Sequence, residues 1–89
     1  MSVSANFAKL GDSHRVKGAR LVGAYGRYFA LQRVGYDMSI ANPEFYIRET
    51  QPEMLKSGES YTMSVVYTIE TGSGETYEVN GGAIKIKHL

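Results

Sequence analysis

The sequence predicts an all-β domain carrying one short helix. Three observations make that prediction. An alternation of period two recurs through residues 60–89. Glycine clusters punctuate it. A proline-led helix start lies between two strand-like runs.

The strongest alternation covers residues 60–70. Tyr61, Met63, Val65, Tyr67 and Ile69 fall on one side. Thr62, Ser64, Thr68 and Glu70 fall on the other, with Val66 the apolar exception. This is the pattern of a half-buried strand. Gly72-Ser73-Gly74 follows, and glycine tolerates the positive φ that tight loops need. A three-residue loop there pairs Ile69 with Tyr77 and Tyr67 with Val79. A two-residue loop would pair Glu70 with Tyr77 and mix the faces, so the longer loop is expected. Gly81-Gly82 reads as a second turn. It would set Val79 against Ile84, Tyr77 against Ile86 and Glu78 against Lys85, each pair contributing roughly 0.2–1 kcal/mol. The expected unit is a three-strand meander whose apolar face the earlier residues must cover.

The preceding residues supply shorter pieces. Residues 1–13 read as a frayed or edge segment ending in the turn Gly11-Asp12-Ser13. Residues 19–36 hold Leu21, Val22, Phe29, Leu31 and Val34, interrupted by Gly23, Gly26 and Gly35. Two structures fit them: a hairpin turning at Gly26-Arg27, or one long strand bent at Gly23 or Gly26. The hairpin would set Arg20 opposite Arg33. Residues 36–41 form a weak strand, and Asn42-Pro43 a turn. In residues 45–49, Phe45 and Ile47 point inward, Tyr46 and Arg48 outward. Thr50-Gln51-Pro52-Glu53 matches a capping box, with Pro52 in the first turn, Met54 and Leu55 docking the helix and Gly58 closing it. A helix between the third and fourth strands favours a small OB-like Greek-key barrel. A compact β-sandwich is the alternative.

The chain has 89 residues, which makes residues 1–89 one small domain. So short a chain buries only about two-thirds of its unfolded surface, and a homo-oligomer would add to its stability. There is no Cys, which excludes disulfides, thiolate metal sites and cysteine nucleophiles. No apolar run reaches the ~20 residues of a membrane helix, and residues 1–10 lack the features of a signal peptide. A soluble protein of the cytoplasm, a host's cytoplasm if the source is viral, is the expectation.

Net charge is +1 but unevenly spread. Residues 1–36 carry Lys9, Arg15, Lys17, Arg20, Arg27 and Arg33 against Asp12 alone, a balance of +5. Residues 37–78 carry Arg48 and Lys56 against eight carboxylates, a balance of −6, and Lys85 and Lys87 restore +2. Either the basic part meets an anionic partner, or the two parts neutralise each other.

Chemistry of other kinds is poorly served. His14 and His88 are the only histidines, and nothing at short spacing completes a metal site or a triad. Glu78 is answered by Lys85, and Glu53 by the cap. Gly23-x-x-Gly26 lacks the lysine and helix of a phosphate loop. No enzyme, no cofactor and no metal is expected. What stands out is basic and aromatic residues interleaved in the first half. Arg15, Lys17, Arg20, Arg27 and Arg33 alternate with Tyr25, Tyr28, Phe29 and Tyr36. Single-stranded nucleic acid is held by cationic grooves and aromatic platforms, and guanidinium grips phosphate well. The expected binding residues are Arg15, Lys17, Arg20, Tyr25, Arg27, Tyr28, Arg33 and Tyr36. The plainer account puts Phe29 and some tyrosines in the core and pairs the arginines with acidic residues. A second functional reading is a protein-interaction or self-assembling module, such as a small viral or phage structural or inhibitory protein. Seven tyrosines without tryptophan suit such interfaces.

Overall fold

A computed structural model describes residues 2–5, 7, 13–34 and 43–89. Among the described residues six strands run in order: β1 (Ser2–Ser4), β2 (Arg15–Val22), β3 (Phe29–Arg33), β4 (Glu44–Glu49), β5 (Ser60–Glu70) and β6 (Thr76–Lys87). They form two antiparallel sheets of three strands, ordered β1-β4-β3 and β2-β5-β6. The chain is all-β, as its alternation implies.

The period-two run becomes β5, the central strand of its sheet. Its five inward side chains, Tyr61, Met63, Val65, Tyr67 and Ile69, are all buried. The loop to β6 is the expected three-residue one. Thr71 N–H donates to the Glu75 carbonyl at 2.8 Å, and Gly74 turns with φ +89°. Ile69 pairs with Tyr77 and Tyr67 with Val79.

Gly81-Gly82 is not a turn. β6 continues straight through it, pairing with β5 as far as Ser60 opposite Lys87. Val65 faces Gly82 and Val66 faces Asn80, so Gly81 is the one extra residue of a bulge. A turn at that point would strip one ladder from the first half of β5; the bulge keeps it. Gly81 is required there because a Cβ would run into the ring of buried Tyr67. Burial also pushes the Tyr67 hydroxyl above its ordinary pKa of 10.0. The pairs expected between 77–79 and 84–86 therefore do not form within the chain. Ile84 faces Met63, Ile86 faces Tyr61, and Lys85 faces Thr62 instead.

Residues 19–34 are neither the hairpin nor the bent strand. β2 ends at Val22 beside β5, whereas β3 begins at Phe29 in the other sheet, beside β4. A 3-10 turn at Gly26–Tyr28 carries the chain across. Arg20 consequently faces Val66 and Arg33 faces Phe45. β4 keeps its expected alternation, with Phe45 buried and Tyr46 and Arg48 exposed. Part of the expected edge segment is β1, at the edge of its sheet. The weak strand expected at 36–41 lies outside the described residues.

The short helix is present in its expected place but is a single 3-10 turn, Pro52–Met54. Its N-cap is Gln51 and no side chain caps it. The hydroxyl of Thr50 donates instead to the Arg27 carbonyl at 3.1 Å, and the Thr50 N–H to that of Tyr28 at 2.8 Å. Leu55 docks, while Met54 is 56 % exposed.

Inner faces of both sheets share two clusters of buried side chains. One joins Val3 and Phe45 to Val16, Val65, Tyr67 and Ile69. The other joins Phe29 to Tyr61, Met63 and Ile86, with Tyr28 and Leu55 from the connections. No ladder links the sheets among the described residues, so the expected barrel does not close. The molecule is long, 44 × 23 × 18 Å. Its radius of gyration is 14.0 Å, against about 12 Å for a rounded chain of this length. Twelve residues of β6 at ~3.3 Å each account for the long axis.

Candidate functional site

The crossing between the sheets builds a cluster of rings. Gly26 has no room for a side chain, since a Cβ would lie 2.6 Å from the Leu21 carbonyl. The chain therefore doubles tightly there, with Gly26 N–H bonded to the Gly23 carbonyl at 3.1 Å and Tyr28 N–H to that of Tyr25 at 3.1 Å. Tyr25 sits on the outside of this turn, 43 % exposed. Its edge meets Tyr61 at 4.7 Å between centroids and a 68° angle, the T-shaped geometry that aromatic pairs favour. Tyr28 lies 6.3 Å from Tyr25, and Phe29 6.3 Å from Tyr61, both tilted. The Arg27 guanidinium covers the Tyr28 ring at 4.9 Å and donates to its hydroxyl at 2.7 Å. Tyr61 is pinned in turn, its hydroxyl accepting the Lys56 N–H at 2.8 Å.

Phe29 also belongs to the floor of a neighbouring open cleft of 560 Å³. Ile47, Pro52 and Ile86 complete the apolar floor; Arg48, Glu49, Lys87 and His88 line it with charge and polar atoms. His88 Nδ1 contacts the Glu49 carboxylate. The backbone fixes this tail as well: Gly58 N–H donates to the His88 carbonyl at 2.6 Å, and His88 N–H to that of Glu59 at 2.9 Å.

The eight residues expected from the sequence do not form one patch. Arg15 and Lys17 share Glu70, Lys17 at 3.6 Å. Arg20 holds Glu78 at 2.7 Å, two strands away across β5. These three cations are neutralised by partners more than fifty residues on. Arg33 turns into the fold, donating to the Val16 carbonyl at 2.8 Å with its guanidinium 5.5 Å from the Phe45 ring. Tyr28 is only 8 % exposed, with Arg27 across its face. Tyr36 lies outside the described residues. Tyr25, Arg27 and Tyr28 are the expected residues that the fold brings together.

Arg48, Lys87 and His88 were not among the expected site residues. Lys87 was visible only as part of a basic ending, and His88 only as a terminal histidine. Arg48 was visible as an outward residue of its strand. Nothing in the sequence joins them; the approach of β4 to the end of β6, marked by the Glu49–His88 contact, does. Among the described residues, Arg27, Arg48, Lys56, Lys85 and Lys87 make no ion pair. This end therefore offers one accessible ring, Tyr25, an apolar floor and cations not already matched to carboxylates. Glu78, expected to meet Lys85, meets Arg20.

No protein-family model, curated protein or solved structure matches the chain. Among the described residues no helix is long and apolar enough to cross a membrane, and no cluster of three metal-binding side chains occurs.

Proposed function

We propose that this chain binds single-stranded nucleic acid, without catalysis, at the aromatic end just described. Bases stack on Tyr25; Arg27, Arg48 and Lys87 hold phosphates. The observation that carries this reading is the coincidence of an exposed ring, set against Tyr61 in T-shaped contact, with cations that have no carboxylate partner among the described residues. Such platforms accept any base, because every base has a π-face. Arg15, Lys17 and Arg20, expected as phosphate ligands, have a lesser part because Glu70 and Glu78 already occupy them. The lack of Cys fits a reducing compartment, and the proposed setting is the cytoplasm, a host's if the source is viral.

The test is a titration of a fluorescent oligothymidylate at two salt concentrations. Affinity should fall steeply with salt. Tyr25→Ala should weaken binding about 5- to 150-fold, the equivalent of ~1–3 kcal/mol of stacking. Arg20→Ala should change it by no more than about twofold, since Arg20 lies roughly 16 Å along β5 from Tyr61, beyond the screening length. Absence of binding at low salt, or equal losses from the two variants, would overturn the reading.

A further inference from the structure

We propose that a second copy of this chain pairs antiparallel with the open edge of β6, about a two-fold axis passing between Gly81 and Gly82. β6 is twelve residues long, and no described strand lies on its outer edge. An uncovered edge presents a row of backbone donors and acceptors to another strand.

What singles out a second copy is that β6 is complementary to itself. Across the proposed axis Val79 meets Ile84, Tyr77 meets Ile86, and Glu78 meets Lys85, each twice. These are the pairs that a hairpin at Gly81-Gly82 would make within one chain. The bulge denies them there and leaves them to be made between chains.

The bulge also makes the geometry possible. In an unbroken strand, residues 79 and 84 would point to opposite faces, and a two-fold axis could not match them. The extra Gly81 shifts the alternation. Tyr77, Val79, Ile84 and Ile86 all stand opposite inward residues of β5, namely Ile69, Tyr67, Met63 and Tyr61. Glu78 and Lys85 stand opposite Thr68 and Thr62 on the outer face. Apolar thus meets apolar inside, and acid meets base outside. A slip of two residues would bring Gly82 against Ala83, which face opposite ways. The axis falls on two glycines, so no Cβ obstructs the approach. The result is one continuous sheet, β2-β5-β6 extended by the same three strands of the other copy. It would also cover Tyr77, 39 % exposed in the single chain.

Light scattering over a concentration series reads the mass. The native chain should reach twice the single-chain mass. Lys85→Glu sets like charges together twice and should weaken association roughly tenfold or more. Glu78→Lys combined with Lys85→Glu should restore it in an Arg20→Gln background, which removes the arginine that Glu78 holds within the chain. Circular dichroism of each variant checks that the strands persist. A second measurement does not depend on charge: Thr76→Cys with Lys87→Cys in this Cys-free chain. The two positions sit at opposite ends of β6, roughly 36 Å apart, so oxidation can join them only between copies. A covalent dimer supports the proposal. A single-chain mass at every concentration, or a dimer that ignores Lys85→Glu and does not cross-link, overturns it.

Discussion

Two cationic regions of this molecule have opposite surroundings. Along β2, Arg15, Lys17 and Arg20 lie on the outer face of a sheet and meet Glu70 and Glu78 from its other strands. At the crossing into β3, Arg27 meets the Tyr28 ring, and Arg48 and Lys87 line a cleft and make no ion pair among the described residues. The contrast shows that a basic residue is matched by a carboxylate only where its strand neighbours bring one against it. Strand neighbours decide that, and they come from distant parts of the chain.

The most forceful way to break this comparison is to move β6. Gly81→Ala forces a methyl into the Tyr67 ring and should cost about 1–3 kcal/mol in urea unfolding. Unchanged stability would show that the bulge, and with it the register that carries Lys87 to the cleft, is misplaced. A smaller effect sharpens the comparison. Glu70→Gln frees Arg15 and Lys17, yet oligonucleotide affinity should rise no more than about twofold if binding belongs to the aromatic end. A tenfold gain would make the β2 face a binding surface too. Smallest of all is the Arg20–Glu78 pair. Both side chains are about half exposed, 56 % and 51 %, so a double-mutant cycle should give roughly 0.2–1 kcal/mol, fading at high salt.

The sequence told more about strands than about their partners. The alternation of 60–70 and the loop at 72–74 were legible because local periodicity and glycine chemistry decide them. Gly81-Gly82 was misread because two adjacent glycines serve a turn or a bulge equally well. The choice lay with the length of β5 and the bulk of Tyr67, neither of them local. Thr50 had the spacing of a capping box, but its hydroxyl was taken by the Arg27 carbonyl, just past the end of the β3–β4 ladder. The same distance effect governed the site. Tyr25 and Arg27 could be found by their interleaving. That Arg20 was already engaged depended on Glu78, and that Arg48 joined Lys87 depended on a β6 running its full length.

The fastening of residues 88 and 89 has a practical side. Both backbone bonds of His88 and its contact with Glu49 hold the last residues at the lip of the cleft, where Leu89 is 93 % exposed. A group attached at Leu89 lies beside Arg48 and Lys87, which line the same cleft. A polyhistidine handle there would crowd the mouth, whereas a small environment-sensitive dye would sit close enough to report when the cleft fills.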